Sequence, residues 1–305
     1  MNRTRYKWKK IIPLSLLALP GVLYLIVNNY LPMFGLAIAF KNVDFAKGIL
    51  GSDWIGFKNF EYLFKTKDAF IITRNTILYN GLFILINSFL AIAIAVMLNE
   101  IKSKFAARFY QSIILLPYLI SMVIVSYLVY AVLSIDTGMF NKFLLPMLGI
   151  SEISWYTESE YWPYILTFVQ LWKNIGFMCI IYLASIIGID QEYYEAATLD
   201  GATKWHQIRS ITIPLISPVI TMLVLLAIGR IFYSDFGLFY QIPMNSGAVN
   251  DTTNVIDTYV YRGLLQLGDI GMASAAGLYQ SLVGFVLVLF SNYIVRRISK
   301  ENALF

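Results

Sequence analysis

Charge is the scarcest ingredient of this chain. Only 13% of its 305 residues are Asp, Glu, Lys or Arg, against about 25% in a soluble domain, which excludes an ordinary water-soluble fold. There is one cysteine, Cys179, inside an apolar stretch, so neither a disulfide framework nor a thiolate metal cluster is available. The one histidine, His206, has no neighbouring ligand set; it reads as a solvated loop residue, and no metal site is expected. No G-x-x-x-x-G-K-[ST] stretch occurs, so the chain is not its own nucleotidase. No Ser/His pair or ligand set lies within the apolar runs, which argues against an intramembrane protease, and no catalytic residue is assigned. Two related halves, as in many ion-coupled secondary transporters, are not visible either. The cations are not interleaved with aromatics as on a nucleic-acid surface, and no nucleic-acid partner is expected.

What is present is apolar and gathered into runs. The composition is 58% hydrophobic with a mean hydropathy of +0.67. Residues 11–40, 75–99, 109–135, 210–229 and 270–295 carry no charge, and the run from Trp162 to Ile189 is interrupted only by Lys173. A helix needs about 20 such residues to cross a bilayer, so the expectation is an all-α membrane protein with six spans. Arg3, Arg5, Lys7, Lys9 and Lys10 precede the first span, Lys102, Lys104 and Arg108 separate the second from the third, Lys204 and Arg209 the fourth from the fifth, and Arg296, Arg297 and Lys300 follow the sixth. All fall on one side, which by the positive-inside rule makes both termini cytoplasmic. The loop at 41–74 is less clean, with five lysines and Arg74. A basic start before an apolar run imitates a secretory signal, but the run is about twice a signal core and contains Pro20 and Pro32, so the first helix is expected to be retained. The net charge of +5 is then a topogenic and lipid-facing feature. The organisation is a basic cytoplasmic N-terminus at 1–10, a first span at 11–40, and a membrane core at 71–297 that includes a cytoplasmic loop at 190–213.

That loop carries the densest pattern outside the spans. Asp190 is placed to cap a short helix from Gln191, Asp200-Gly201 to end it, because glycine accepts the left-handed exit, and a second short helix is expected near Thr203. Pro214 suits the first turn of the fifth span. Helices this short are marginal alone, so the knob they form needs a surface to pack on.

Glu195-Ala196-Ala197, Asp200-Gly201-Ala202, then Ile211 and Ile213-Pro214 resemble the EAA loop of binding-protein-dependent ABC import permeases, with isoleucine where the family usually has leucine before the proline. Asn75-Thr76, Leu116-Pro117-Tyr118 at the start of the third span, Gly56-Phe57-Lys58-Asn59-Phe60 and Thr258-Tyr259-Val260-Tyr261-Arg262 add to the likeness, which covers about residues 57–297 and is nearest the maltose-permease type, in its oligosaccharide and polysaccharide branch. The resemblance implies a type I importer permease fold, a first helix followed by a five-helix core. It implies that Glu195, Ala196, Ala197, Asp200, Gly201 and Pro214 form a coupling element seated on an ATPase subunit. It also implies partners: a second homologous permease, an ATP-binding subunit dimer that uses ATP and magnesium, and an extracellular solute-binding protein. The chain itself binds no cofactor.

Polar groups inside spans mark a pathway or a helix contact. Gln170, Asn174 and Phe177 recur at i, i+4 and i+7, a face with two amides and a ring that suits a sugar's hydroxyls and C–H surface. Amide-mediated packing is the competing reading. Lys173 lies 11 residues beyond Trp162, roughly 16 Å along the helix, and is expected to face an aqueous cavity or a carboxylate of the partner permease. Arg230 sits near a span end and can snorkel. Ser234, Asp235 and Tyr240 repeat the polar-and-aromatic pattern and are assigned to the same substrate pathway. If Lys173 and Arg230 both line it, the oligosaccharide is acidic. The Ala91/Ala95 and Ala273/Gly277 pairs read as helix-packing positions. The functional expectation is a membrane half of an ATP-driven oligosaccharide importer, with a non-sugar cargo or an ion-coupled transporter as alternatives.

Overall fold

The computed structural model describes residues 3–298 and Ala303. Met1 and Asn2 of the basic N-terminal segment, and Lys300 after the last span, lie outside the described residues. The chain is built mainly from helices: α1 Arg3–Leu25, α2 Lys67–Asn99, α3 Lys104–Leu119, α4 Met122–Leu133, α5 Trp162–Ile187, α6 Gln191–Leu199, α7 Lys204–Gln207, α8 Ile213–Gly229, α9 Ile256–Leu267 and α10 Ile270–Ile298. Among the described residues five helical stretches are long and apolar enough to cross a membrane (Ile12–Phe40, Lys67–Asn99, Ser159–Ile187, Lys204–Gly229 and Ile270–Arg297), and α3 with α4 makes a sixth if that bent pair is one span.

The third span departs from expectation. The apolar run 109–135 is not one rod: α3 and α4 meet at 94°. Pro117, which contributes no N–H, sits in the last turn of α3, and Ile120 and Ser121 leave helical geometry with ψ of 133° and 148°. Ser121 then restarts the chain, its hydroxyl accepting from the Ile124 N–H at 3.4 Å. Leu116-Pro117-Tyr118 therefore closes the first half of this span and does not open it. A serine N-cap beyond a helix-ending proline is the local cause.

The chain divides into two compact units, residues 1–65 with 260–279 and residues 66–259 with 280–305. In the first, a two-residue antiparallel ribbon pairs β1 Lys41–Asn42 with β2 Asp53–Trp54, a small exception to the helical plan. Phe40 stacks on Trp54 with ring centroids 5.5 Å apart and meets Phe57 and Phe60 edge-on or tilted. The lysines that blur the charge pattern here are largely engaged at home. Lys41 donates to the carbonyls of Ile49 and Leu50, Lys47 pairs with Asp53 at 3.3 Å, and Lys65 pairs with Glu61 at 2.9 Å. In α10, Met272, Ala275 and Ala276 take the buried positions, whereas a Cβ at Gly277 meets nothing within 4 Å; the expected Ala273/Gly277 seam is displaced by one position around the helix.

The second unit is organised around α2 and α5. One apolar cluster joins Tyr79 and Phe83 of α2 to Trp162, Leu166 and Val169 of α5 and to Leu238, Phe239 and Ile242. A second joins Ala91, Ala95 and Leu98 of α2 to Cys179, Tyr182, Leu183 and Ile186 of α5 and Ile216 of α8. Ala91 and Ala95 are fully buried, as small residues between close helices should be. At the contact of α3 with α5, Gly176 faces the backbone of Ile114 so closely that a Cβ there would lie 2.0 Å from its carbonyl oxygen.

Candidate functional site

The 190–213 loop folds as its local chemistry dictates. Asp190 caps α6, its carboxylate accepting from the Glu192 N–H at 3.1 Å. At the other end Ala202 N–H donates to Ala197 O at 2.9 Å and Gly201 N–H to Thr198 O at 3.0 Å. This is the paired closure of a Schellman motif, and Gly201 occupies its left-handed position with φ +78°. Thr203 caps α7, Tyr194 and Thr212 share a hydroxyl bond of 2.9 Å, and Gln207 donates to Thr198 at 2.9 Å. The second helix is not a separate piece. A wide π-type turn at Ile208–Thr212 carries α7 without interruption into α8, so the knob is continuous with a span. Pro214 is the second residue of α8. Glu195, Ala196 and Asp200 are exposed, and a cleft of about 530 Å³ is lined by Ala197, Asp200, Gly201, Thr203 and His206 among others. Lys204 reaches Glu100 at the end of α2, at 3.1 Å.

The second group lies at the break between α3 and α4. Lys173 of α5 is half-buried and points its ammonium at the end of α3, donating to Pro117 O at 3.3 Å, Tyr118 O at 3.2 Å and, more closely, Ile120 O. An ammonium has three N–H donors, and three carbonyls take them. Where the sequence reading looked to an aqueous cavity or a partner carboxylate, the partners Lys173 finds within this chain are these carbonyls. The physical reason is the break itself. Ending a helix within a span orphans its last carbonyls, at several kcal/mol for each unsatisfied group in hydrocarbon, and an unpaired lysine at that depth costs about 3 kcal/mol more. A cation at a helix C-terminus relieves both costs at once.

Phe177, one turn further along α5, stacks face to face on Tyr118, centroids 4.7 Å apart and planes 11° from parallel. Both rings remain open, 41% and 39% exposed. Gln170 lies on the same face; its Oε1 is buried with no partner among the described residues, an orphan acceptor worth about 1–3 kcal/mol to a donor that reaches it. Asn174 is turned back on its own helix, donating to Gln170 O at 3.1 Å. Of the predicted i, i+4, i+7 face the structure leaves the ring open, while one amide is occupied on its own helix and the other buries its carbonyl oxygen. Tyr118 belongs to that face, a residue that sequence marks only within the Leu116-Pro117-Tyr118 likeness and not as part of the pathway.

Ser234, Asp235 and Tyr240 are placed by structural bonds. The Ser234 N–H donates to Asp257 at 2.8 Å, and its hydroxyl accepts from Asn80 at 3.1 Å. Asp235 accepts from the Leu238 N–H at 3.1 Å, opening the turn at Gly237–Gln241, and Tyr240 stacks on Phe236 at 4.7 Å. Gln280 donates to Phe232 O and to Asp257, so the segment after α8 is stitched to α2, α9 and α10. Burial raises the pKa of Asp257 above the usual carboxylate value, against the lowering effect of these donors. Leu238 and Phe239 share an apolar cluster with the partly buried Ile120 and Met122, so both predicted groups border the same break.

Comparison with known proteins gives the arrangement its context. Residues 87–300 match the family described as binding-protein-dependent transport system inner membrane component. Protein LplB of Bacillus subtilis is 33% identical over 98% of this chain and 91% of its own length. The polygalacturonan/rhamnogalacturonan transport system permease protein YteP of the same organism is 33% identical over 95% and 89%. Among solved structures, a chain of a bacterial ABC transporter involved in the import of the acidic polysaccharide alginate aligns with a TM-score of 0.87 at 35% identity, covering 98% of this chain and all of that one. A chain of a bacterial alginate ABC transporter in complex with alginate pentasaccharide-bound periplasmic protein aligns with the same TM-score of 0.87 at 35% identity, covering 98% of this chain and 99% of that one.

Proposed function

The chain belongs to the binding-protein-dependent transport system inner membrane components, and on that premise we propose that it carries oligosaccharides, fragments of acidic polysaccharides in particular, across the cell membrane as one permease of an ATP-driven importer. One observation carries the reading: 98% of the chain aligns at a TM-score of 0.87 with a chain of an alginate importer. Relatives named for uronate polymers favour the acidic cargo and weigh against a non-sugar one. Both termini and the 190–213 loop are cytoplasmic. The chain is not an enzyme; ATP and magnesium are used by a pair of ATPase subunits, and a second permease and an extracellular solute-binding protein complete the machine.

In this reading the 190–213 loop is the coupling element. Glu195 is exposed on α6 to meet a basic group of the ATPase, and the cleft beside Gly201 receives part of the same partner. Because α7 runs into α8 without a break, a displacement of the knob moves a span as a lever and is not lost in a hinge. The solute passes the face of Gln170, Tyr118 and Phe177, where the exposed stacked rings meet the C–H side of a sugar.

The test is reconstitution with the partner permease, ATPase and solute-binding protein in vesicles, supplied with oligouronates and neutral oligosaccharides of equal length. ATP-dependent uptake of the oligouronates is expected, and Glu195→Ala should leave the membrane part folded while lowering substrate-stimulated hydrolysis. Uptake that persists without an ATPase, or hydrolysis unresponsive to any oligosaccharide, overturns the assignment.

A further inference from the structure

We infer that Lys173 is a positioning residue: its ammonium fixes the end of α3 so that Tyr118 forms, with Phe177, the aromatic wall of the sugar pathway. The inference rests on the permease reading above for its consequence in transport, but its geometric part stands independently. Three observations converge. All three donors of Lys173 go to carbonyls at the break, one of them Tyr118's own. The ring of that same residue lies on Phe177, four positions beyond Lys173 on α5. Between them Gly176 lets the α3 backbone come into direct contact with α5. The carbonyl grip of Lys173, the close approach at Gly176 and the ring stack thus define one seam, along which both rings stay exposed. A free helix end beyond Pro117 would leave Tyr118 without a fixed main chain, and its ring would sample other rotamers.

This assigns Lys173 a role opposite to the obvious one for a cation in a pathway linked to acidic sugars. It does not receive the cargo's carboxylate, because it has no donor to offer. It acts through Tyr118, so its loss should affect neutral and acidic oligosaccharides alike.

Two measurements test this in the full chain. In the assembled importer, Lys173→Met should raise the concentration of loaded binding protein needed for half-maximal uptake by roughly 3- to 10-fold, the loss of one ring contact. Neutral and acidic cargo should suffer the same factor, and Lys173→Arg should restore most of it. A loss confined to acidic cargo overturns the inference in favour of a direct charge contact. Independently of transport, cysteines placed by Tyr118→Cys and Phe177→Cys in a Cys179→Ala background should be bridged by a short bifunctional thiol reagent. The yield should fall severalfold on adding Lys173→Met and recover with Lys173→Arg. An unchanged yield overturns the inference. A yield that falls in an importer inactive toward every oligosaccharide leaves the positioning role standing and refutes the cargo assignment instead.

Discussion

Gly201 is where the proposed coupling loop is most exposed to a single substitution. Its φ of +78° belongs to the left-handed region, and a Cβ built there meets nothing within 4 Å. Crowding within the chain therefore contributes nothing, and the cost of a side chain is conformational: about 1 kcal/mol for alanine and up to about 2 kcal/mol for valine, whose branched side chain tolerates this region least. Asparagine visits the region readily and should cost only a few tenths of a kcal/mol. The penalty falls on the closure made by Ala202 N–H to Ala197 O and Gly201 N–H to Thr198 O, so the variants populate knobs in which α6 no longer meets α7 at the right angle. If the ATPase binds only the native knob, its apparent affinity for the permease pair should fall about fivefold with Gly201→Ala and about tenfold or more with Gly201→Val, and stay within about twofold with Gly201→Asn. The assay is substrate-stimulated ATP hydrolysis as ATPase subunit is titrated into reconstituted permease. An asparagine variant as damaged as valine would show that side-chain size at the docking surface matters and backbone geometry does not; wild-type affinity in the valine variant would refute the role of the turn altogether.

Two further outcomes follow from the packing. The folded chain raises the pKa of Asp257 by burial and so holds its proton more tightly than the unfolded chain does; stability should fall as pH rises from the ordinary carboxylate value through the raised one and then level off. Asp257→Asn should flatten that slope in a melting series across acidic to neutral pH while still accepting from Ser234 and Gln280. Gly176→Ala places a Cβ 2.0 Å from the Ile114 carbonyl oxygen; since backbone cannot rotate aside, α3 and α5 must separate, at about 3 kcal/mol, read as a loss of monodisperse protein on heating in detergent. A variant as heat-stable as the parent would mean that this helix contact is softer than its geometry states.

The parts legible from sequence were those decided locally. Apolar runs give the spans because every residue of a helix in hydrocarbon must be apolar or partnered. The 190–213 loop was legible because Asp190, Thr203 and Gly201 act on backbone groups within a few residues of themselves. The break in the third span was not legible. Pro117 and Ser121 lie in a charge-free run, and whether a proline kinks a span or ends it depends on what else receives the freed carbonyls. Here the receiver is Lys173, more than 50 residues away in sequence. The same separation hid the partners of Ser234: Asn80 comes from α2 and Asp257 from α9. Sequence located these polar groups without the partners they find within the chain, because a hydrogen bond to a distant residue leaves no periodic trace.

The carbonyl partners of Lys173 bear on how an acidic cargo would be handled. An acidic cargo met by the permease itself requires Lys173 and Arg230 to line the pathway together. Lys173 instead spends its three donors on carbonyls, and Arg230 stands exposed at the end of α8. The acidic cargo proposed for this chain rests instead on a relative named for polygalacturonan and a structural neighbour named for alginate. The two results agree if charge is read before the membrane, by the solute-binding protein, and the permease reads the neutral framework of the sugar. Physically this is the better arrangement for transport. A row of desolvated cations along the route would bind each carboxylate several kcal/mol too well and hold a polyanion at one depth, whereas passage requires sites weak enough to leave. Stacked rings, about 1 kcal/mol each, would guide a chain of sugars without trapping it. In the proposed importer Lys173 would serve that design by neutralising the helix end beside the rings rather than by offering a charge to the cargo.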